Sequence, residues 1–151
     1  MAKILLVEDD TTMVAMLRDI LESVGTHQVA SALNGVAGLQ FLGVEPPDEI
    51  KAQVGETDWK LVKNDWTTEP AKIVLPDLIL SDCMMPRMDG LTFVTQASIN
   101  ELAKNIPVLV LTTKLKMEEP FMLLPNVKGF IAKPADPDQL LALIAKTLAK
   151  T

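Results

Sequence analysis

Four short apolar runs dominate the pattern of this chain: "KILLVE" (3–8), "DLILS" (77–81), "PVLVLT" (107–112) and "VKGFIA" (127–132). Each is apolar at nearly every position instead of at alternate ones, as in a strand covered on both faces. Stretches with apolar residues at helical spacing separate them. Met13, Val14, Met16, Leu17, Ile20, Leu21 and Val24 recur in that way up to Gly25, behind the helix-start residues Asp10, Thr11 and Thr12. "HQVASA" (27–32) reads as a weaker strand, and Asn34 as the cap of a short helix carrying Val36, Leu39, Phe41 and Leu42. Gly90 to Lys104 reads as another helix. In the last one Asp136 stands at the N-cap, Pro137 at the first position, and Leu140, Leu141, Leu143, Ile144 and Leu148 form the inner face. Strand and helix alternate, and buried strands joined by helices make a parallel sheet with helices on both faces.

In open sheets of this kind the functional crevice lies beyond the carboxyl ends of the strands. Glu8 and Asp9 end the first strand, Asp82 the third, Thr112 the fourth, and Lys133 follows the fifth. Asp10 reads as a helix cap or as a group behind the other acids. Carboxylates gathered on one rim repel one another and call for a cation. Oxygen ligands with open positions suit Mg²⁺, while a lysine and a hydroxyl suit phosphoryl oxygens. These are the parts of a phosphoryl-transfer site. No "GxxxxGK[ST]" loop is present to hold a nucleotide, which leaves an aspartate as the acceptor.

Composition narrows the remaining choices. The net charge of −6 argues against a nucleic-acid-binding surface. A single cysteine, Cys83, and a single histidine, His27, leave no internal disulfide and little for a thiolate or imidazole metal site. No apolar run approaches the roughly 18 residues of a membrane span, and the N-terminus has too few for a signal peptide. A cytoplasmic protein is expected.

"ILLVEDD", "LILSDCMMPRMDG", "PVLVLTT" and "GFIAKP" resemble, in content and order, the signature segments of response-regulator receiver domains of two-component signalling. The resemblance implies an α/β, flavodoxin-like, doubly wound sheet of five parallel strands in the order 2-1-3-4-5. It implies a phospho-acceptor at Asp82, supplied by a sensor histidine kinase or a histidine phosphotransfer protein, and a downstream effector protein reached through contacts. Mg²⁺ would be held by Glu8, Asp9, Asp82 and the main-chain carbonyl of Met84. Lys133 would bind the phosphoryl oxygens, with Thr112 and Phe130 as the switch pair and a cis bond at Lys133-Pro134. Such a protein assists its own phosphorylation without being a turnover enzyme. A monomer or weak dimer is expected, and a phosphorylation-independent binding module of the same fold is the alternative.

The chain departs from the family pattern in three places. The span from Asp9 to Asp82 is about twenty residues longer than two average helices, two strands and their loops require. The surplus falls at about 43–76, making residues 1–151 one receiver domain with an insertion. Asp48 to Val54 reads as a short helix, and Trp59, Leu61, Val62 and Trp66 as a second helix or a hairpin. The tryptophans pin the insert or dock a partner. "KLKMEEPFMLLPNVKG", with Pro120 and Pro125, predicts a short or irregular helix. Met84 and Lys114 stand two positions beyond Asp82 and Thr112 and offer no carboxylate or amide to orient water, which predicts a persistent acyl phosphate. Thr113 would narrow access to Asp82, Met84, Met85 and Met88 fill gaps or dock a partner, and His27 sits at the solvent edge.

Overall fold

The structure is a computed structural model that describes residues 2–23, 27–46, 48–51, 62–63, 74–85, 88–113 and 118–150. In chain order these form β1 (Ala2–Val7), α1 (Thr11–Ser23), β2 (His27–Ala32), α2 (Gly35–Leu42), α3 (Asp48–Lys51) and β3 (Val62–Lys63). They continue with β4 (Leu78–Asp82), α4 (Gly90–Ile99), β5 (Val108–Thr112), α5 (Glu118–Met122), β6 (Val127–Ala132) and α6 (Pro137–Ala149).

The sheet runs β3-β2-β1-β4-β5-β6. Its five long strands are parallel neighbours in the flavodoxin-like order expected from the sequence. The difference is a sixth strand. Val62–Lys63 pairs antiparallel with the end of β2, Ala32 opposite Val62 and Ser31 opposite Lys63, so this short strand covers an edge that would otherwise be open. α3 is the short helix expected near Asp48. The expectations for Trp59, Trp66 and Lys114 lie outside the described residues.

Strand side chains alternate between faces, and each face meets its own helices. From β1, Leu5 and Val7 pack with Val36, Leu39, Phe93 and Val94 of α2 and α4. Ile4 and Leu6 pack on the other face with Leu17 and Leu21 of α1 and Leu140 and Ile144 of α6. Two buried faces explain why β1, β4 and β5 show no polar alternation.

Local chemistry sets the helix ends. Asp10 Oδ1 accepts from the amides of Thr12 at 2.9 Å and Met13 at 3.2 Å, and so caps α1. Asn34 Oδ1 accepts from Ala37 N at 2.8 Å at the start of α2, and Gly43 closes that helix at φ 74°. Helix α4 ends sooner than its apolar periodicity suggests. Asn100 is extended (ψ 133°), and its Oδ1 accepts from Leu102 N and Ala103 N, offering the backbone an alternative to the helix. Asp136 occupies the N-cap of α6 without a side-chain capping bond, and Pro137 supplies the preset first turn. As expected, α5 is short, with five residues. No described helix is long and apolar enough to cross a membrane.

Candidate functional site

The parallel order brings the carboxyl ends of β1, β4, β5 and β6 to one rim. Glu8 follows β1 directly, and its main-chain N–H donates to Ala32 O of β2 at 3.0 Å, which seats it on the sheet. Asp82 is the last residue of β4. Lys133 follows β6, and its N–H donates to Thr112 O at 2.9 Å, tying it to the end of β5. The Lys133-Pro134 bond is cis.

These placements set up a shared cation. Lys133 Nζ lies 2.8 Å from Glu8 Oε2 and 2.8 Å from Asp82 Oδ1. The second Asp82 Oδ1 contact is the Cys83 amide at 2.8 Å, and Glu8 Oε1 accepts from Asp10 N at 3.2 Å. Glu8 is 1% and Asp82 6% exposed, so neither charge is well hydrated. Asp9 is exposed beside them, and Glu8, Asp9 and Asp82 each present a carboxylate oxygen within 4.8 Å of the other two.

The electrostatics follow from this geometry. Burial pushes the Glu8 carboxyl up from 4.5 to about 7; the Asp82 charge adds to the rise, while the Lys133 hydrogen bond opposes it. For Lys133, burial alone would lower the pKa, but hydrogen bonds to Asp82 and Glu8 outweigh it and hold the ammonium above its ordinary value. Burial also raises the Cys83 thiol. Three carboxylates facing one ammonium leave a net negative pocket of oxygen donors, a donor set that fits a hard divalent cation.

Thr112 is buried at the end of β5, and its side chain hydrogen-bonds that of Cys83. Phe130 of β6 stands opposite Val110 and is half-buried, its ring meeting Phe121 edge-on with centroids 6.4 Å apart. Met84 is 61% exposed just past Asp82, whereas Met88 is buried and Met85 packs against the core. The three methionines therefore divide between gap-filling and surface. Thr113 is exposed. His27, expected at the solvent edge, is half-buried as the first residue of β2; its Nδ1 has no partner among the described residues, and burial lowers its pKa.

The sequence pattern marks Gly90 only as the start of a helix. Its backbone passes so close to β4 that an added Cβ would sit 1.9 Å from the Asp82 carbonyl oxygen, while its N–H donates to Cys83 O at 2.9 Å. The Asp-Gly pair ahead of a helix was the available signal. Only a residue without a side chain lets α4 start against the end of β4. Asp89 Oδ1 caps that start from Thr92 N at 2.8 Å.

A doubly wound parallel sheet with an acid cluster and a lysine at its carboxyl rim defines a class of phosphoryl-handling signalling modules. The model of the response regulator receiver domain matches residues 51–145, and the chain belongs to that family, whose members are signalling modules. It is 27% identical over 150 residues to protein PilH of Pseudomonas aeruginosa, covering 99% of each chain. Among solved structures it resembles the chemotaxis response regulator CheY4 of Vibrio cholerae, with 26% identity, a TM-score of 0.68 and coverage of 97% and 98%. The receiver domain of sensor histidine kinase PA1611 from Pseudomonas aeruginosa shares the fold at 21% identity and a TM-score of 0.68, with 98% of each chain covered. That protein carries a magnesium ion coordinated in its active-site cleft. Other curated relatives are longer: the chain spans 5%, 51% and 33% of three of them.

Proposed function

We propose that this chain is a phospho-accepting response regulator in which Asp82 takes a phosphoryl group from a sensor histidine kinase or a histidine phosphotransfer protein. The carrying observation is the placement of the Asp82 carboxylate. It ends a buried strand, shares Lys133 with Glu8 at 2.8 Å, and has a carboxylate oxygen of Glu8 and one of Asp9 within 4.8 Å. Glu8 (through water), Asp9, Asp82 and the Met84 carbonyl would hold Mg²⁺, whose chemistry is to neutralise charge on the transferring phosphoryl group. An Asp82 oxygen attacks phosphorus, the new O–P bond forming as the P–N bond to the donor histidine breaks. Lys133 supplies a mobile positive charge to the phosphoryl oxygens. Once Asp82 carries the group, the Thr112 hydroxyl leaves Cys83 for it, and Phe130 fills the space this opens. The altered surface is what an effector protein reads, with a coupling free energy of about 1–3 kcal/mol typical of such switches. The insertion at about 43–76 belongs to this same domain, and the protein acts in the cytoplasm as a monomer or weak dimer.

Intact-mass measurement after incubation with a small phosphodonor and Mg²⁺ tests the reading. One phosphoryl adduct on the wild type and none on Asp82→Asn is expected. A wild type that stays unmodified would favour a binding module independent of phosphorylation. An adduct that survives Asp82→Asn would move the acceptor elsewhere.

A further inference from the structure

Two glycines in the first turn of α2 each make room for a side chain from beyond β4. A Cβ at Gly38 would lie 2.8 Å from Phe93 Cε1 and 3.2 Å from Val7 Cγ2, so Gly38 lets α4 pack closely on α2 and β1. A Cβ at Gly35 would lie 2.9 Å from Met88 Cγ and 3.0 Å from both Met88 Cβ and the Met88 carbonyl oxygen. Gly38 serves the core, whereas Gly35 serves the loop between Asp82 and α4.

That loop is held at two places. Its ends are drawn together where Gly90 N–H donates to Cys83 O at 2.9 Å. Beyond that neck, Met84 is 61% exposed and Met85 partly buried, but Met88 is only 2% exposed. Among the described residues between Cys83 and Gly90, Met88 alone is buried, and it rests against the start of α2. That support is firm. Asn34 is buried; its Oδ1 accepts from Ala37 N at 2.8 Å and its carbonyl from Gly38 N at 3.0 Å. Two residues before Asn34, Ala32 O accepts from Glu8 N at 3.0 Å, so the stretch of chain that seats Met88 also seats Glu8.

The Met84 carbonyl stands between the two anchors in the chain. A main-chain oxygen has no rotamer with which to reach a cation, so the path of the loop sets its place. Contacts behind a ligand orient it and tune how tightly it holds a metal. We infer that Gly35 and Met88 are positioning residues of the acceptor site: Met88, seated in the notch at Gly35, holds the loop so that the Met84 carbonyl meets the ion beside Asp82. The inference rests on the proposed Mg²⁺ site and adds to it a contact from α2 that touches neither the ion nor the phosphoryl group.

Mg²⁺ titrations of the full chain, followed in amide NMR spectra, test this with Gly35→Ala and Gly38→Ala side by side. A methyl at Gly35 displaces a flexible methionine, while alanine favours the helix, so the urea midpoint should stay near that of the wild type. Mg²⁺ affinity should fall about tenfold, the lower end of what such orienting contacts contribute. A methyl at Gly38 meets an aromatic ring in the core, so the urea midpoint should fall while the folded protein keeps its affinity. Met88→Ala should weaken Mg²⁺ binding as Gly35→Ala does. Both changes empty the same seat, so the double variant should bind no worse than the weaker single one. Saturating Mg²⁺ should restore the rate at which Gly35→Ala gains an adduct from a small phosphodonor. Should Gly35→Ala fail to fold, Met88→Ala decides alone. Unchanged affinity in these variants, an equal loss in Gly38→Ala, additive losses, or a rate that Mg²⁺ does not restore would overturn the inference and leave the metal site standing. A wild type without saturable Mg²⁺ shifts would remove the site itself, and the inference with it.

Discussion

The two rims of one sheet handle charge in opposite ways. At the carboxyl rim, Glu8 and Asp82 are buried and share one ammonium at 2.8 Å on either side. At the amino rim, the exposed Lys104, Lys128, Lys146 and Lys150 line a cleft. Charges inside the first rim are poorly hydrated, so their energies depend on a few contacts and on how closely the backbone holds them. Charges at the second are hydrated and contribute little to folding. Substitutions should therefore be costly at one rim and nearly free at the other.

Lys133→Met gives the largest expected effect. It leaves two buried carboxylates facing each other, and losing one partner of a buried pair typically costs about 3–5 kcal/mol. Urea unfolding in magnesium-free buffer should show that loss most fully above pH 7. It should shrink on acidification, as Glu8 takes a proton, and on adding Mg²⁺. A loss that Mg²⁺ leaves untouched would mean that the acids do not share an ion.

Gly90→Ala should follow. The new methyl would meet backbone, with Asp82 O at 1.9 Å and Cys83 Cα at 2.9 Å, and neither can swing aside as a side chain would. A destabilisation of about 3 kcal/mol is expected, along with reduced phosphorylation of the folded fraction. Gly129→Ala, in β6, sharpens the contrast. Its nearest neighbour would be Leu109 Cδ2 at 3.3 Å, the end of a side chain that can give, so the loss should stay under about 1 kcal/mol. Equal losses at the two glycines would show that the approach of α4 to β4 is slack.

Much of this was legible in the sequence, for an identifiable reason. Strands buried on both faces carry an unbroken apolar signal, and parallel topology then dictates that Glu8, Asp9, Asp82, Thr112 and Lys133 end on one rim. What the pattern could not convey were contacts between residues distant in sequence and choices made by single side chains. Two residues at Val62–Lys63 are too few to show a period, so the sequence leaves a helix and a hairpin both open there and does not point to a pairing with β2. The early end of α4 depends on whether the Asn100 side chain bonds its own backbone, which periodicity does not encode. Placing Lys133 at the rim says nothing of its reaching both Glu8 and Asp82. Sequence also shows Gly90 as a helix start without revealing how near Asp82 its backbone passes. The lysines of the amino rim never form a run, since Lys104, Lys128 and the Lys146–Lys150 pair come from three separate elements of the chain.

A smaller effect isolates one buried acid. The Glu8 carboxyl titrates at about 7 in the folded protein against 4.5 ordinarily. Between those values the folded state holds a proton that the unfolded chain has released. The contribution of Glu8 is therefore full below about pH 4.5 and is lost as pH rises through about 7. Glu8→Gln should flatten that part of the stability profile, measured as the thermal midpoint in magnesium-free buffer from pH 4 to pH 8. A profile as steep as that of the wild type would place the titration on another group.

The least expected change is at the amino rim, with Lys146→Gln and Lys150→Gln together. Removing the pair relieves a like-charge repulsion across one helical turn but forfeits the attraction of cations to the helix C-terminus. The two effects are of similar size and opposite sign, so the urea midpoint should move by no more than about 0.5 kcal/mol in equivalent stability. Two lysines lost there would then matter several times less than the one lost at Lys133. A large loss instead would mean that the lysines hold the end of α6 onto β6, and the cleft would be a structural joint of the fold.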